Sequence, residues 1–210
     1  MSVLLDWDGD PTCYQHLEVT YQLVIVAFYR GSWCAVCCAW ISCFQGTQPS
    51  LKGFLERNNA CLVLVSAQDA RQMQRLVREL PVLNFERVYI LADEETSFAN
   101  WWNERGFGQV FISAPTTRYG YRYPHGLLQP ALFTLRNGEL IYSWSSQPGI
   151  RNLGGAIERP DPSKVLMAIE QRLYENDHDR SGAIDRSAVA FREQTLVFFG
   201  RIIRRLMGKS

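Results

Sequence analysis

The sequence predicts an α/β fold, with a central mixed sheet flanked by helices and a helical extension at the C-terminus. Three observations carry this prediction. The continuous β-prone runs at residues 22–29 and 61–65 are typical of strands buried on both faces of a sheet. A stretch of helical periodicity follows each run. Later in the chain, Asn137-Gly138 joins two further β-prone runs as a hairpin.

The first half of the chain predicts three strand–helix units. After the first strand, a helix beginning at Cys34 is interrupted near Gly46 and Pro49 and resumes over residues 50–57. The remaining units combine a strand at 61–65 with a helix at 67–80, and a strand at 87–91 with a helix at 97–104. Such repetition favours parallel pairing. Residues 105–128 show no period and predict a long loop of the kind that often carries function.

The second half predicts an antiparallel hairpin and one more helix. Strands at 129–135 and 139–144 lead to a helix at 162–174. The predicted organisation is therefore an irregular N-terminal segment at 1–20, one domain at 21–175 and a C-terminal helical extension at 176–210.

Composition excludes several classes of protein. With 210 residues, 47% hydrophobic and 20% charged, the chain has ordinary globular composition, and its net charge of +1 predicts no nucleic-acid partner. No apolar run approaches the roughly 20 residues that a membrane span needs. The first residues lack the basic and apolar regions of a signal peptide, so a cytoplasmic location is predicted.

Two cysteines three residues apart carry the strongest chemical signal. Cys34 and Cys37 follow a predicted strand at the start of a helix, where unpaired N–H groups favour a thiolate on the first cysteine. Cys34 is therefore the predicted nucleophile. Cys37, one turn further on, is predicted to attack a mixed disulfide on Cys34 and resolve it. Trp33 precedes the pair, and Arg30 is the nearest charged residue.

Two structural alternatives stand beside this interpretation. The cysteines could act as small buried hydrophobes, or Cys34, Cys37, Cys38 and Cys43 could bind zinc. A structural zinc site usually draws its second pair of ligands from another segment, and no His here has a neighbouring ligand, so no metal is predicted. Cys38 is interpreted as a core residue or as a partner in an alternative disulfide. Cys43 and Cys61 are interpreted as structural, and a distant resolving role is an alternative for Cys13.

Three separated segments give a family resemblance. They are Tyr29-Arg30-Gly31-Ser32-Trp33-Cys34-Ala35-Val36-Cys37, Tyr123-Pro124-His125-Gly126-Leu127-Leu128-Gln129-Pro130-Ala131-Leu132 and the stretch from Tyr142-Ser143-Trp144 to Arg159-Pro160. In these the chain resembles the peroxiredoxin-like (AhpC/TSA, redoxin) proteins of the thioredoxin-like superfamily, over residues 20–175. The resemblance implies a thioredoxin-like fold and a thiol-disulfide oxidoreductase with antioxidant, peroxide-reducing activity. It also implies a disulfide-containing protein, small thiol or peroxide as substrate, thioredoxin or glutathione as reductant, no cofactor and a homodimer as one assembly to consider.

The resemblance also implies four supporting residues. Pro130 is expected to be cis and to lie against the cysteine pair, where the backbone of Gln129 before it can hydrogen-bond an extended thiol substrate. His125 is expected either to face the cysteines as an acid/base or, the favoured alternative, to lie on a surface loop. Arg159 is expected to steady a thiolate or to hold the turn at 154–155, and the second role is favoured.

Departures from the family pattern limit the predicted chemistry. Phe28 stands where thioredoxin carries a buried Asp, and Ala27 and Gly31 stand where peroxiredoxins carry the Pro and Thr that bind peroxide. Dithiol–disulfide exchange is therefore predicted to be faster than peroxide reduction. A redox-silent binding module on the same fold is the alternative from another functional class.

The C-terminal extension contains two further patterns. Residues 177–185 follow the first nine positions of an EF-hand loop, but Ala188 replaces the closing bidentate Glu, so a solvated connector is predicted instead of a calcium site. Residues 187–206 predict an amphipathic helix with a basic end. It is expected to dock on the domain, with dimerisation or contact with an anionic membrane surface as alternatives.

Overall fold

The computed structural model describes residues 3–80, 86–118, 120–149 and 158–178. The strands in these ranges are β1 (Val3–Asp6), β2 (Pro11–Cys13), β3 (Leu23–Phe28), β4 (Ala60–Ser66), β5 (Val88–Ala92), β6 (Thr116–Arg118), β7 (Tyr121–Tyr123), β8 (Ala131–Arg136) and β9 (Glu139–Ser145). The α-helices are α1 (Tyr14–Thr20), α2 (Ala35–Ser42), α3 (Leu51–Arg57), α4 (Ala70–Glu79), α5 (Ser97–Glu104) and α6 (Pro162–His178). A 3₁₀ turn, Cys43–Gly46, follows α2, and α3 begins at Leu51, so the predicted interruption near Gly46 and Pro49 is confirmed.

Seven strands form one mixed sheet in the order β2-β1-β5-β4-β3-β8-β9. The neighbours β3, β4 and β5 are parallel, whereas β8 runs antiparallel to β3 and pairs with β9 as the predicted hairpin. Every residue of β3 and β4 is buried, which explains their continuous apolar sequences. The predicted mixed sheet flanked by helices is confirmed.

The N-terminal residues join this sheet. β1 pairs antiparallel with both β2 and β5, so the expectation of an irregular segment is wrong for residues 3–20. Leu4, Tyr14 and Leu17 are buried, and this apolar surface drives the association. Strands of three and four residues are too short for their period to be recognised in the sequence.

Side chains of β3 alternate between two buried clusters. Ile25, Ala27 and, directly after the strand, Tyr29 enter one cluster together with Cys34 and Cys37, and we call this side of the sheet the thiol face. The opposite cluster, which we call the aromatic face, contains these side chains among others: Val24, Val26, Phe28, Phe98, Trp102 and Phe133. The period of two along a strand separates residues that are adjacent in sequence.

The predicted loop at 105–128 contains a small hairpin, β6–β7, whose strands have three residues each. An isolated bridge between Ile112 and Leu128 closes the base of this connection. The hairpin brings Tyr123 from the surface connection into a buried position. In this position Tyr123 contacts the turn that precedes the cysteine pair.

The C-terminal predictions lie almost wholly outside the described residues. Of the EF-hand-like segment, residues 177–178 belong to the last turn of α6, and its remainder and the helix predicted at 187–206 are not described. Among the helices in the described ranges, none combines the length and apolar character that crossing a membrane requires.

Candidate active site

The cysteine pair lies in the turn that connects β3 to α2. Cys34 is the N-cap of α2, and its Sγ accepts a hydrogen bond from the backbone N–H of Cys37 at 3.3 Å. Both thiols are free, so the structure describes the reduced pair. Cys34 is 6% exposed and Cys37 is fully buried. The predicted strand–turn–helix setting of the two cysteines is confirmed.

The turn before Cys34 is held from two sides. Gln68, which follows β4, accepts a hydrogen bond from the backbone N–H of Ser32. The Tyr123 hydroxyl donates to the backbone carbonyl of Arg30 at 3.2 Å and accepts from the indole N–H of Trp33. These contacts fix the approach of the chain to the cysteines.

Gly31 is required at this turn. Its φ of +147° is one that residues with side chains rarely adopt, and a Cβ there would lie 2.7 Å from both Gln68 Oε1 and the Tyr123 hydroxyl oxygen. The same two side chains that support the turn therefore exclude every larger residue from it.

Arg159 reaches the buried cysteine. Its guanidinium is 0% exposed, and Nη2 donates to Cys37 Sγ at 3.7 Å. The Arg159 Cζ lies 6.0 Å from the ring centroid of Trp40 and 5.9 Å from that of Trp144. Of the two roles expected for Arg159, the structure shows the contact with a cysteine, and the turn at 154–155 lies outside the described residues.

The electrostatics of the pair favour the negative charge on Cys37. Burial opposes ionisation, but hydrogen bonding from the Cys34 thiol, the charge of Arg159 and the backbone N–H of Arg30 together lower the pKa of Cys37 below the ordinary thiol value. The hydrogen bond to Cys37, followed by burial, raises the pKa of Cys34 far above that value.

This distribution of charge differs from the expectation that the helix N-terminus places the thiolate on Cys34. A buried guanidinium attracts a thiolate more strongly than one backbone N–H does, because it carries a full charge in a medium of low dielectric constant. The Arg159 contact could not be read from local sequence, since 122 positions separate the two residues.

Arg30 and Gln129 form a second polar group beside the cysteines. Arg30 Nε and Nη2 both donate to Gln129 Oε1, at 3.1 and 2.8 Å. Burial lowers the pKa of Arg30, while attraction to Cys37 and Cys34 raises it. The backbone N–H of Gln129 donates to the carbonyl of Phe111 at 2.8 Å, so this N–H is already bonded within the protein, and the side chain of Gln129 is the part that contacts Arg30.

The expectation that Pro130 is cis is wrong. Among the described residues the cis peptide bond precedes Pro49, and the bond before Pro130 is trans. The Pro130 carbonyl accepts a hydrogen bond from the Ser146 N–H at 2.8 Å, which extends the pairing of β8 with β9. The trans form is also the lower in energy for X-Pro bonds, by about 0.5–1 kcal/mol.

His125 is exposed on the connection after β7. Its backbone carbonyl lies 3.5 Å from Thr96 Oγ1. This position corresponds to the favoured alternative of a surface loop.

The remaining cysteines have ordinary structural settings. Cys38 Sγ donates to the carbonyl of Ser32 at 3.3 Å, and burial raises the pKa of Cys38 to about 12. Cys61 is buried within β4, Cys43 begins the 3₁₀ turn and Cys13 ends β2. Within the ranges that the structure describes, no three His, Cys, Asp or Glu side chains converge as a metal site would require.

Four residues of the site were missed as site residues from the sequence: Gln68, Tyr123, Trp40 and Trp144. Gln68 had a usable signal, because it follows the parallel strand next to the one that precedes the cysteines, at the same edge of the sheet. Tyr123 begins the second segment of the family resemblance, but its contact with the turn before the cysteines had no local signal, since a short hairpin inside an aperiodic stretch positions it.

Comparisons with known proteins agree with the architecture. No protein-family profile matches the sequence, and no curated protein matches it significantly. Solved structures do match: peroxidoxin BcpB from Mycobacterium tuberculosis is 14% identical with a TM-score of 0.56, and the match covers 81% of this chain and 92% of that one. The fold is that of the peroxiredoxins.

Two further structures support the same peroxiredoxin fold. A cysteine-to-serine mutant of peroxiredoxin 6 from Arenicola marina is 14% identical with a TM-score of 0.61, covering 89% of this chain and 76% of that one. Enterococcus faecalis AhpC is 13% identical with a TM-score of 0.58, covering 87% and 92%. At these identities the likeness establishes the thioredoxin-like, peroxiredoxin-like fold, and the chemistry must be argued from the residues.

Proposed function

We propose that the protein is a thiol-disulfide oxidoreductase of the peroxiredoxin-like class, in which Cys34 attacks the substrate and Cys37 resolves the mixed disulfide. One observation carries the proposal. Two free cysteines, one helical turn apart, lie beside a buried guanidinium on a redox-protein fold. A pair of structural cysteines does not need a buried cation.

Access supports the assignment of the two roles. Cys34 retains 6% exposure, whereas Cys37 has none. An incoming disulfide therefore meets Cys34 first. Cys37 is placed behind it, where its sulfur can reach a disulfide formed on Cys34 after a small movement.

The charge on Cys37 supplies the base for the first step. The Cys34 sulfur attacks one sulfur of the substrate disulfide, its proton passes to the Cys37 thiolate, and the other substrate sulfur leaves as a thiolate. The Cys37 thiol then loses its proton to the leaving thiolate. Its thiolate attacks the Cys34 sulfur, which closes the Cys34–Cys37 disulfide and releases the second substrate thiolate.

Peroxide reduction is proposed as the slower of the two reactions. Ala27 and Gly31 occupy the positions where the family pattern has a peroxide-binding Pro and Thr. Turnover of hydrogen peroxide with a thiol donor should therefore be slower than reduction of a disulfide. A thiol reductant such as thioredoxin or glutathione would restore the dithiol.

Mass spectrometry after mild oxidation tests the function. The intact protein should lose two hydrogens, and peptide mapping should place the bridge between Cys34 and Cys37. Cys34→Ser should abolish reduction of insulin disulfides, and Cys37→Ser should trap a mixed disulfide with the substrate. Cys43→Ser is the matched control, since this half-buried thiol lies outside the pair and its loss should leave activity unchanged.

Two results would contradict the proposed function. If oxidation yields no Cys34–Cys37 bridge, the dithiol mechanism is wrong, and the redox-silent binding module on the same fold becomes the better interpretation. If Cys37→Ser retains full turnover of insulin, the resolving role of Cys37 is wrong.

A further inference from the structure

We propose that Arg159 holds the cysteine pair in its dithiol state, so that the disulfide form of the protein acts as an oxidant of substrate dithiols. The inference rests on the proposed function, whose thiol–disulfide exchange is reversible, and states that the favoured direction is the reverse of the disulfide reduction written above. Electrons would pass from a substrate dithiol to the Cys34–Cys37 disulfide, and an oxidant would return the protein to the disulfide form.

The guanidinium is built into the thiol face by separate elements. Trp40 lies on α2 one turn after Cys37, and Trp144 belongs to β9, so the two rings flank Arg159 from different elements. The Trp40 indole N–H also donates to the carbonyl of Pro160 at 2.9 Å, which ties the residue after Arg159 to the same helix. The charge is thus held in place while the cysteines change state.

The asymmetry between the two redox states follows from this placement. An arginine side chain stays protonated in proteins, and a buried charge is expensive unless an opposite charge compensates it. In the dithiol state, the Cys37 sulfur lies 3.7 Å from Arg159 Nη2, where the guanidinium stabilises a thiolate. In the disulfide state both sulfurs are neutral and that attraction is lost, so the contact stabilises the dithiol selectively.

Stabilisation of the dithiol makes a disulfide a stronger oxidant, as it does in the most oxidising members of the thioredoxin superfamily. In the step proposed here, a substrate dithiol gives two electrons and two protons. The Cys34–Cys37 bond breaks, Cys34 takes one proton, Cys37 remains a thiolate beside Arg159, the second proton goes to solvent and the substrate becomes a disulfide. Oxidised glutathione, a low-molecular-weight disulfide, can return the pair to its disulfide by taking up two electrons and two protons.

Among the described residues, the other ionisable side chains around Cys37 are either neutral or a cation bound elsewhere. Tyr29, Tyr123, Cys34 and Cys38 all have a raised pKa and are neutral near pH 7. Arg30 is a second cation whose charge also attracts the pair, and its guanidinium donates to Gln129. Arg159 is the guanidinium whose own nitrogen contacts the Cys37 sulfur.

Equilibration in glutathione redox buffers tests the inference. The full-length protein is incubated at a series of ratios of reduced to oxidised glutathione, and the dithiol fraction is quantified by alkylation and mass spectrometry. In Arg159→Met the equilibrium constant for reduction of the disulfide should fall at least tenfold, which corresponds to about 30 mV for a two-electron couple. Arg159→Lys, which keeps the charge, should recover part of this loss.

A matched control separates this effect from the general loss of an arginine. Arg87 stacks over the ring of Tyr21 and hydrogen-bonds the carbonyl of Ala60, remote from the pair. Arg87→Met should leave the glutathione equilibrium unchanged. An equal fall in both variants would overturn the specific role of Arg159.

The pH dependence of the equilibrium constant for reduction of the disulfide is a second measurement. An arginine with only a structural role would not change it. Where Cys37 is ionised and glutathione is still protonated, reduction releases one proton, so the apparent equilibrium constant of the wild type should rise tenfold per pH unit. In Arg159→Met both cysteines should remain protonated, and the profile should be flat over the same range.

The outcomes distinguish this inference from the proposed function. If no buffer produces a Cys34–Cys37 disulfide, the proposed function fails. If the disulfide forms but Arg159→Met changes neither the equilibrium constant nor its pH profile, the inference fails and the proposed function stands. Should Arg159→Met not fold, a flat pH profile in the wild type overturns the inference without any variant.

Discussion

Both faces of the sheet are buried, but different kinds of side-chain contact form on each. β3 supplies alternate side chains to both, with Val26 and Phe28 on the aromatic face and Ile25 and Ala27 on the thiol face. The aromatic face packs rings against rings, as in the stacked pair Phe28 and Phe98 with centroids 5.9 Å apart. On the thiol face, indole rings flank a cation and the cation meets a sulfur.

This difference separates stability from chemistry within one core. Aromatic packing needs only apolar area and good fit, and it contributes several kcal/mol for each large ring. A buried cation and a thiolate add little stability of their own, but they place charge where a reaction needs it. Changes on the aromatic face should therefore affect folding, and changes on the thiol face should also affect reactivity.

Replacing Trp102 on the aromatic face should have the largest effect. Its ring is fully buried and contacts those of Tyr14, Phe28 and Phe133, among others. Trp102→Ala should lower the free energy of unfolding by about 3–5 kcal/mol, measured by urea denaturation. The fraction that remains folded should still form the cysteine bridge.

If Trp102→Ala does not fold, Trp102→Phe keeps a ring at this position and should lose less stability. Loss of bridge formation in folded Trp102→Phe would contradict the separation of the two faces.

Gly31→Ala should have the second largest effect, and it should lower both the stability of the protein and the reactivity of Cys34. The φ of +147° and the close approach of Gln68 and Tyr123 predict a loss of about 3 kcal/mol together with displacement of Cys34. Urea denaturation measures the first, and the rate at which Cys34 reacts with a disulfide reagent measures the second.

Gly9→Ala is the control for Gly31→Ala. Gly9 also has positive φ, +90°, but a Cβ there meets nothing within 4 Å. Its replacement should cost only about 1 kcal/mol of backbone strain and leave the reaction rate unchanged. Equal losses in the two variants would show that the contacts with Gln68 and Tyr123 are unimportant.

Tyr29→Phe should have the smallest effect, and its direction is opposite. The Tyr29 hydroxyl is buried on the thiol face and has no hydrogen-bond partner among the described residues. Removing it should raise the free energy of unfolding by about 1 kcal/mol, because a buried polar group without a partner is destabilising. A shift of the urea midpoint to higher concentration is the expected result.

Tyr123→Phe is the contrasting variant for Tyr29→Phe. It removes a hydroxyl that bonds both Trp33 and Arg30, and it should lower the urea midpoint. A lower midpoint in Tyr29→Phe as well would show that its hydroxyl stabilises the thiol face.

Local sequence was enough to predict the elements that position the cysteine pair. Continuous apolar residues predicted β3 and β4, Asn137-Gly138 predicted the β8–β9 hairpin, and the spacing of Cys34 and Cys37 predicted their separation by one helical turn. Each of these is a property of a few consecutive residues, since strand period, turn chemistry and helical pitch act over short distances.

Packing between distant segments determined the rest. Arg159 meets Cys37, Tyr123 meets Trp33 and Gln129 meets Arg30 across 122, 90 and 99 positions respectively. Local sequence does not encode these contacts, because they depend on how finished elements assemble and on which buried charge finds a partner. For the same reason the thiolate is favoured on Cys37 and the bond before Pro130 is trans, although the sequence pattern favoured the opposite in both cases.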